Sequence, residues 1–255
     1  MTLTLSTDLL LGFVLAVVRA SAWLVVCPPF NTRMIPTQAK MAFAVALAIP
    51  VTPVVAASAP PPEVGPLIVA TLMQVGAGLA LGFLTQLIFA AVQAAGEIID
   101  FFAGFTIAAS FDPFTNANTA VFGRFYHLLS LALLFAVDGH LMLVRGFLNS
   151  FAAMPSGVPD FASISELLID NLGMFFLAAL EIAAPIVGAL FLTEVALGLL
   201  SKAAPQMNVF TLGFPIKILL SMLLVGLAIP LMPNIVENLV RHAVRDGAVL
   251  MGAFS

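Results

Sequence analysis

Apolar positions along this chain run in long blocks and do not alternate with polar ones. Six blocks stand out, at about 9–27, 41–57, 67–95, 125–151, 167–200 and 209–232. Stretches such as Leu131–Val137 and Ile218–Ile229 lack the period-two alternation of a half-buried strand, so the pattern predicts helices apolar on every side. A membrane-spanning barrel would show short alternating segments instead. Prolines fall at or near the block ends: Pro28-Pro29, Pro50, Pro60-Pro61-Pro62, Pro155, Pro205 and Pro233. Proline has no N–H to continue a helix, so breaks are expected there.

Block length adds an anomaly. A membrane span needs about 20 residues, roughly 30 Å of helix. The fifth block, Leu167–Leu200, would reach roughly 50 Å as one helix. The third continues from Leu67 towards Ala109 and is longer still. Tilting absorbs only a few surplus residues. These helices either break, as Pro185 would allow, or continue past the bilayer into a protein assembly.

Composition turns the pattern into a class. Of 255 residues, 62% are apolar and 9% charged, against roughly 45–50% and 25% in soluble domains. The surplus must face lipid or other subunits, and hydrocarbon requires every backbone polar group to be bonded internally. The expected fold class is therefore all-α and polytopic. A thinly spread net charge of −4 gives no basic patch, which argues against a nucleic-acid partner. The single Cys27 cannot form an internal disulfide and reads as a small buried hydrophobe. Ala20-Ser21-Ala22 imitates a signal cleavage site, but Asp8 replaces a basic leader and Arg19 interrupts the run, so a retained first span is expected. Arg33, Lys40 and Lys202 put the first, third and fifth connections in the cytoplasm. Arg241 and Arg245 in the tail then fall on the opposite side, against the rule.

Charged groups inside apolar blocks are costly and mark function more often than elsewhere. Glu97 and Asp100 share a helical face after the third block; Arg124, His127, Asp138 and His140 lie in or beside the fourth; Glu181 and Glu194 lie in the fifth. A relay of Glu181, Glu194, Asp138 and His140 would make the chain an ion-coupled secondary transporter. Pairing of each group with a basic or backbone partner at a helix interface is favoured, because no carboxylates cluster. Two histidines thirteen apart make no metal site. Nucleotide-binding, nucleophile-elbow and zinc motifs are absent from the sequence, so no catalytic residue, cofactor or enzyme activity is expected.

Three further stretches carry readings of their own. Gly78 and Gly82 have the four-residue spacing that lets helix backbones meet, either within the chain or against a partner. Between Ser110 and Thr119 the chain turns polar around Asp112-Pro113, with Phe111 and Phe114 alongside. An ordinary surface loop is favoured there over a pore-lining one. From Asn234 onward, Glu237, Arg241 and Arg245 oppose Val236, Leu239, Val240 and Ala243, the pattern of an amphipathic helix.

The most distinctive stretch is Thr193–Phe210, with Glu194, Ser201-Lys202-Ala203-Ala204-Pro205-Gln206-Met207-Asn208, continuing into Gly213-Phe214-Pro215-Ile216-Lys217. Read physically, two helices meet at a tight turn. Lys202 faces the carbonyls that end the first helix, Pro205 stops it, and Gln206 and Asn208 bond through the turn. Pro215 sits early in the returning helix, and Lys217 can snorkel towards the interface. This stretch resembles the FliR family, the export-gate component of bacterial flagellar type III secretion. Arg33–Lys40, Gly96–Asp100, Phe111-Asp112-Pro113 and Asp138-Gly139-His140 follow in the family's order, and the likeness covers nearly the whole chain. Injectisome counterparts share much of it.

The resemblance implies a multi-pass protein of the bacterial inner membrane and flagellar basal body. It implies assembly with FliP and FliQ into a helical channel that cooperates with FlhB and FlhA and passes unfolded flagellar subunits. It further implies a FliP-like part over about 1–164 and a FliQ-like hairpin with a C-terminal helix over 165–255. The middle loop, here Ala109–Ala120, would plug the closed pore, with Ser110, Phe111, Asp112, Pro113, Phe114, Asn116 and Asn118 at the plug.

Overall fold

The computed structural model describes residues 7–32, 35–105, 120–152, 161–206 and 208–253. Among the described residues the regular structure is entirely helical. In chain order the helices are α1 (Thr7–Val26), α2 (Thr37–Ala57), α3 (Val64–Ala103), α4 (Val121–Ala136), α5 (Gly139–Asn149), α6 (Phe161–Ala203) and α7 (Val209–Ala228). A 3-10 turn, Ile229–Leu231, leads into α8 (Met232–Ala253). Helices α1, α2, α3, α6 and the joined α7–α8 stretch are long and apolar enough to cross a membrane; α4 with α5, bent by 75°, makes a sixth candidate. The chain is a multi-pass, all-α membrane protein.

The over-long blocks do not break. Helix α3 has 40 residues and α6 has 43, about 60 and 65 Å at 1.5 Å per residue. Pro185 lies inside α6 without ending it. The break expected at Pro50 is likewise absent, since Pro50 and Pro53 both lie within α2. Each proline removes one helical bond, but ending the helix would strand several backbone groups where no water can reach them. Near the tail, Pro230 sits in the 3-10 turn and Pro233 in the first turn of α8, where a missing N–H costs nothing. The tail helix is therefore joined to α7 and does not stand apart.

The fourth block, expected as one segment, is two helices. Asp138 adopts the left-handed conformation at φ 55°, and its carbonyl accepts the N–H of Leu141 at 3.0 Å to open α5. A short polar residue tolerates this conformation.

The residues group into two compact units. One comprises residues 1–88, 138–172 and 238–255, the other 89–137 and 173–237. In the first, α1 and α2 form a hairpin so close that a Cβ on Gly12 would lie 2.7 Å from the backbone nitrogen of Ala56. Helix α3 packs on α1 through Gly78 and Gly82: a Cβ on Gly78 would meet the carbonyl oxygen of Arg19 at 2.5 Å, and one on Gly82 would meet Val26 Cβ at 2.9 Å. Of the two open readings, contact within the chain is what these glycines make. Trp23, fully buried, stacks on Phe147 with ring centres 4.5 Å apart, and Cys27 is buried beside them in sequence. In the second unit the buried apolar residues include Phe89, Ile99, Leu134, Ile186, Leu190 and Val225.

Candidate functional site

Two constellations in the second unit hold most of the motif residues. The first is the junction of α3 with α4. Helix α3 ends at Gly104, whose φ of 91° only glycine adopts freely; its N–H donates to the carbonyl of Asp100 at 3.1 Å. The Asp100 side chain is 1% exposed. Its two oxygens accept the backbone N–H groups of Phe122 and Gly123, each at 3.0 Å. These are two of the four donors that the first turn of any helix leaves without a partner. Ala120, at the N-cap of α4, has no side-chain oxygen to serve them, so Asp100 caps α4 from another helix. Glu97, one turn earlier, is exposed and accepts from Gln93 Nε2 at 2.8 Å. Glu97 and Asp100 thus share a helix stretch, but only Asp100 is buried at the junction.

The second constellation is the α6–α7 hairpin. Lys202 lies exposed in the last turn of α6, and Pro205 and Gln206 form the exposed turn. Asn208 is the N-cap of α7, its side-chain oxygen accepting the Thr211 N–H at 3.3 Å. Pro215 stands within α7. Lys217, expected to snorkel, instead turns inward: its Nζ lies 3.2 Å from Glu194 Oε1, and the lysine is 16% exposed against 59% for the glutamate. Gly213 lets the two helices close, since a Cβ there would meet Leu197 Cδ1 at 2.9 Å. The pair is an ionic clasp between helices and Glu194 is not a free intramembrane acid.

The remaining candidates are more scattered. Asp138 is exposed at the α4–α5 bend, His140 is half-buried in the first turn of α5, and Glu181 is exposed on α6. Glu181 and Glu194 lie thirteen residues apart on one continuous helix, about 20 Å along its axis, so they make no joint carboxylate site. Among the described residues no group of three or more His, Cys, Asp or Glu side chains could hold a metal ion. Ser110, Phe111, Asp112, Pro113, Phe114, Asn116 and Asn118 lie outside the described residues.

One further site joins residues far apart in the sequence. Arg19 in α1 is 1% exposed. Its Nε donates to Gln74 Oε1 of α3 at 2.5 Å, and Nη1 donates to the carbonyl and hydroxyl oxygens of Ser150 at 3.1 and 3.3 Å. The guanidinium also lies 4.2 Å from the ring centre of Phe151. A planar fork with five donors suits such a multi-helix node. Its only signal in the sequence is a lone charge inside an apolar run, the same charge that argues against a leader peptide.

Both constellations fall inside a region that comparison with known proteins marks out. The profile of a family described as bacterial export proteins, family 1, matches residues 10–243. The chain belongs to this family. Within it, the chain is 31% identical over 237 residues to the flagellar biosynthetic protein FliR of Bacillus subtilis, covering 91% of each. It is 32% identical over 223 residues to FliR of Pectobacterium carotovorum, covering 87% of this chain and 85% of that one. A shorter likeness, 33% over 148 residues, links it to the surface presentation of antigens protein SpaR of Shigella flexneri, covering 58% of this chain and 57% of the relative. Family 1 membership therefore takes in every helix, from α1 to most of α8, and the expected likeness to the FliR proteins holds over nearly the whole chain.

Proposed function

We propose that the chain is a subunit of the flagellar type III protein export gate. In this reading it forms, with FliP and FliQ, the channel through which unfolded flagellar subunits leave the cell. It works with FlhB and FlhA in the bacterial inner membrane at the flagellar basal body. The observation that carries the reading is helix length joined to surface chemistry. Helices α3 and α6, of 40 and 43 residues, are about twice what a bilayer needs, yet they expose Ile68, Leu72, Phe101, Phe176, Leu180, Leu192 and Leu199 along their length. Apolar surface that outruns the hydrocarbon must be covered by protein, which is what one wall of a shared channel requires. Within residues 165–255, helices α6 and α7 supply the FliQ-like hairpin and α8 the C-terminal helix, and the preceding part, about 1–164, supplies the FliP-like region.

The segment Ala109–Ala120 seals the closed channel in this reading, with Phe111 and Phe114 against apolar partner side chains. Deleting it raises ion conductance across the membrane while the complex still assembles; a conductance equal to that of the intact protein removes the sealing role. The likeness to SpaR supports a second reading, a gate of an injectisome. Removing the gene from its host separates the two. Loss of flagellin from the culture medium supports the flagellar assignment, whereas intact flagellin export with loss of other secreted proteins transfers the protein to an injectisome.

A further inference from the structure

Helix α4 is capped by a residue 22 positions upstream, and the way it is capped ties two helix ends together. We infer that Asp100 is a positioning residue: seated on the first turn of α4, its carboxylate holds the end of α3 and the start of α4 at a fixed separation and orientation. Three contacts of different kinds meet there. The Asp100 oxygens take the Phe122 and Gly123 N–H groups at 3.0 Å each. The backbones touch at a glycine pair, for a Cβ on Gly96 would lie 2.5 Å from the Phe122 carbonyl oxygen and 2.7 Å from Gly123 Cα. The rings of Phe105 and Phe122 meet edge to face at 5.6 Å.

A carboxylate this buried is tolerated only when its oxygens are bonded, and the α4 donors have no local acceptor because Ala120 offers none. Each partner therefore needs the other. The glycine pair makes the match directional: only with both Cβ positions empty can α4 come near enough for two bonds of 3.0 Å. A local serine or aspartate at position 120 would cap α4 equally well without joining it to α3. The choice of a distant acceptor fixes both ends of the intervening chain. Its bearing on export rests on the sealing role proposed above for Ala109–Ala120.

The test uses the full chain in its assembled complex, reconstituted in lipid nanodiscs for distance measurement and in vesicles for ion leak. Spin labels go on Phe101→Cys and Phe125→Cys, which are 64% and 39% exposed, while the buried Cys27 is left in place. Asp100→Asn keeps the shape but turns one acceptor into a donor facing an N–H. It is expected to broaden the label distance distribution and raise leak per complex on the order of tenfold, the effect of losing one charge-assisted hydrogen bond. Gly96→Ala, with the carboxylate intact, is expected to reproduce both changes by wedging the helices apart. Asp100→Leu should exceed both; should it fail to assemble, the asparagine variant carries the test. An unchanged distance distribution in Asp100→Asn and Gly96→Ala overturns the positioning role. A broadened distribution with normal leak, in vesicles where the Ala109–Ala120 deletion does leak, overturns its bearing on export. If that deletion does not leak either, the sealing reading fails and the positioning role stands or falls on the distances alone.

Discussion

Single residues set how this chain tolerates polarity in an apolar setting. Arg19 is the clearest case, because three acceptor atoms from two distant residues, Gln74 and Ser150, converge on one guanidinium. Replacing it with methionine leaves Gln74 and Ser150 as buried groups without their donor, which costs about 3 kcal/mol. Thermal denaturation of the purified complex would show this as a clear fall in midpoint. The double variant Arg19→Met with Gln74→Leu should recover part of the loss, since removing both partners costs less than orphaning one. Equal midpoints for Arg19→Met and the intact protein would mean that the node holds nothing together. This residue was visible in the sequence only as an oddity, because nothing local reveals that Gln74 and Ser150, 55 and 131 positions away, come to meet it. Asp100 is visible as an acid near an apolar block, with pairing to a basic or backbone partner favoured; which partner is beyond reach, for the same reason.

Elements were far more legible, since apolar runs in hydrocarbon leave few choices but helix. Where expectation and structure part, the cause is local. Prolines at positions 50, 53 and 185 are carried inside helices, whereas the Asp138-Gly139 pair, which has no proline, produces the 75° bend. Breaking rules learned from soluble proteins overstate proline here and understate a residue able to enter the left-handed region. Close helix approach gives a sharp prediction at this scale. Gly78→Ala puts a methyl 2.5 Å from the Arg19 carbonyl and 2.9 Å from Ala22 Cβ, so α3 must move off α1 at a cost of about 1–3 kcal/mol. Gly198, whose Cβ would meet nothing within 4 Å among the described residues, serves as the contrast: Gly198→Ala should stabilise the isolated chain by up to about 1 kcal/mol through helix propensity. Thermal melts of both variants in detergent check the pair, and the account is wrong about packing if their effects are reversed. The hairpin gives another test. Lys202→Glu together with Gln206→Ala alters an exposed turn, so a fall in complex recovery or secretion marks it as a subunit contact, while normal levels of both deny that role.

At the scale of the molecule, the two compact units are each built from separated stretches of chain. No boundary in the sequence could announce them, because α3, α6 and α8 each pass from one unit's residues to the other's. Family membership, by contrast, was readable from the order of short motifs along nearly the whole chain. The central claim is that the exposed apolar faces of two over-long helices belong against other subunits. Affinity purification of the tagged chain from native membranes tests it most directly. The account predicts recovery of a stable complex containing several copies of each of two small helical membrane partners, with no substrate uptake by the chain alone in vesicles. Recovery of the chain by itself, active in ion-coupled uptake, would contradict it.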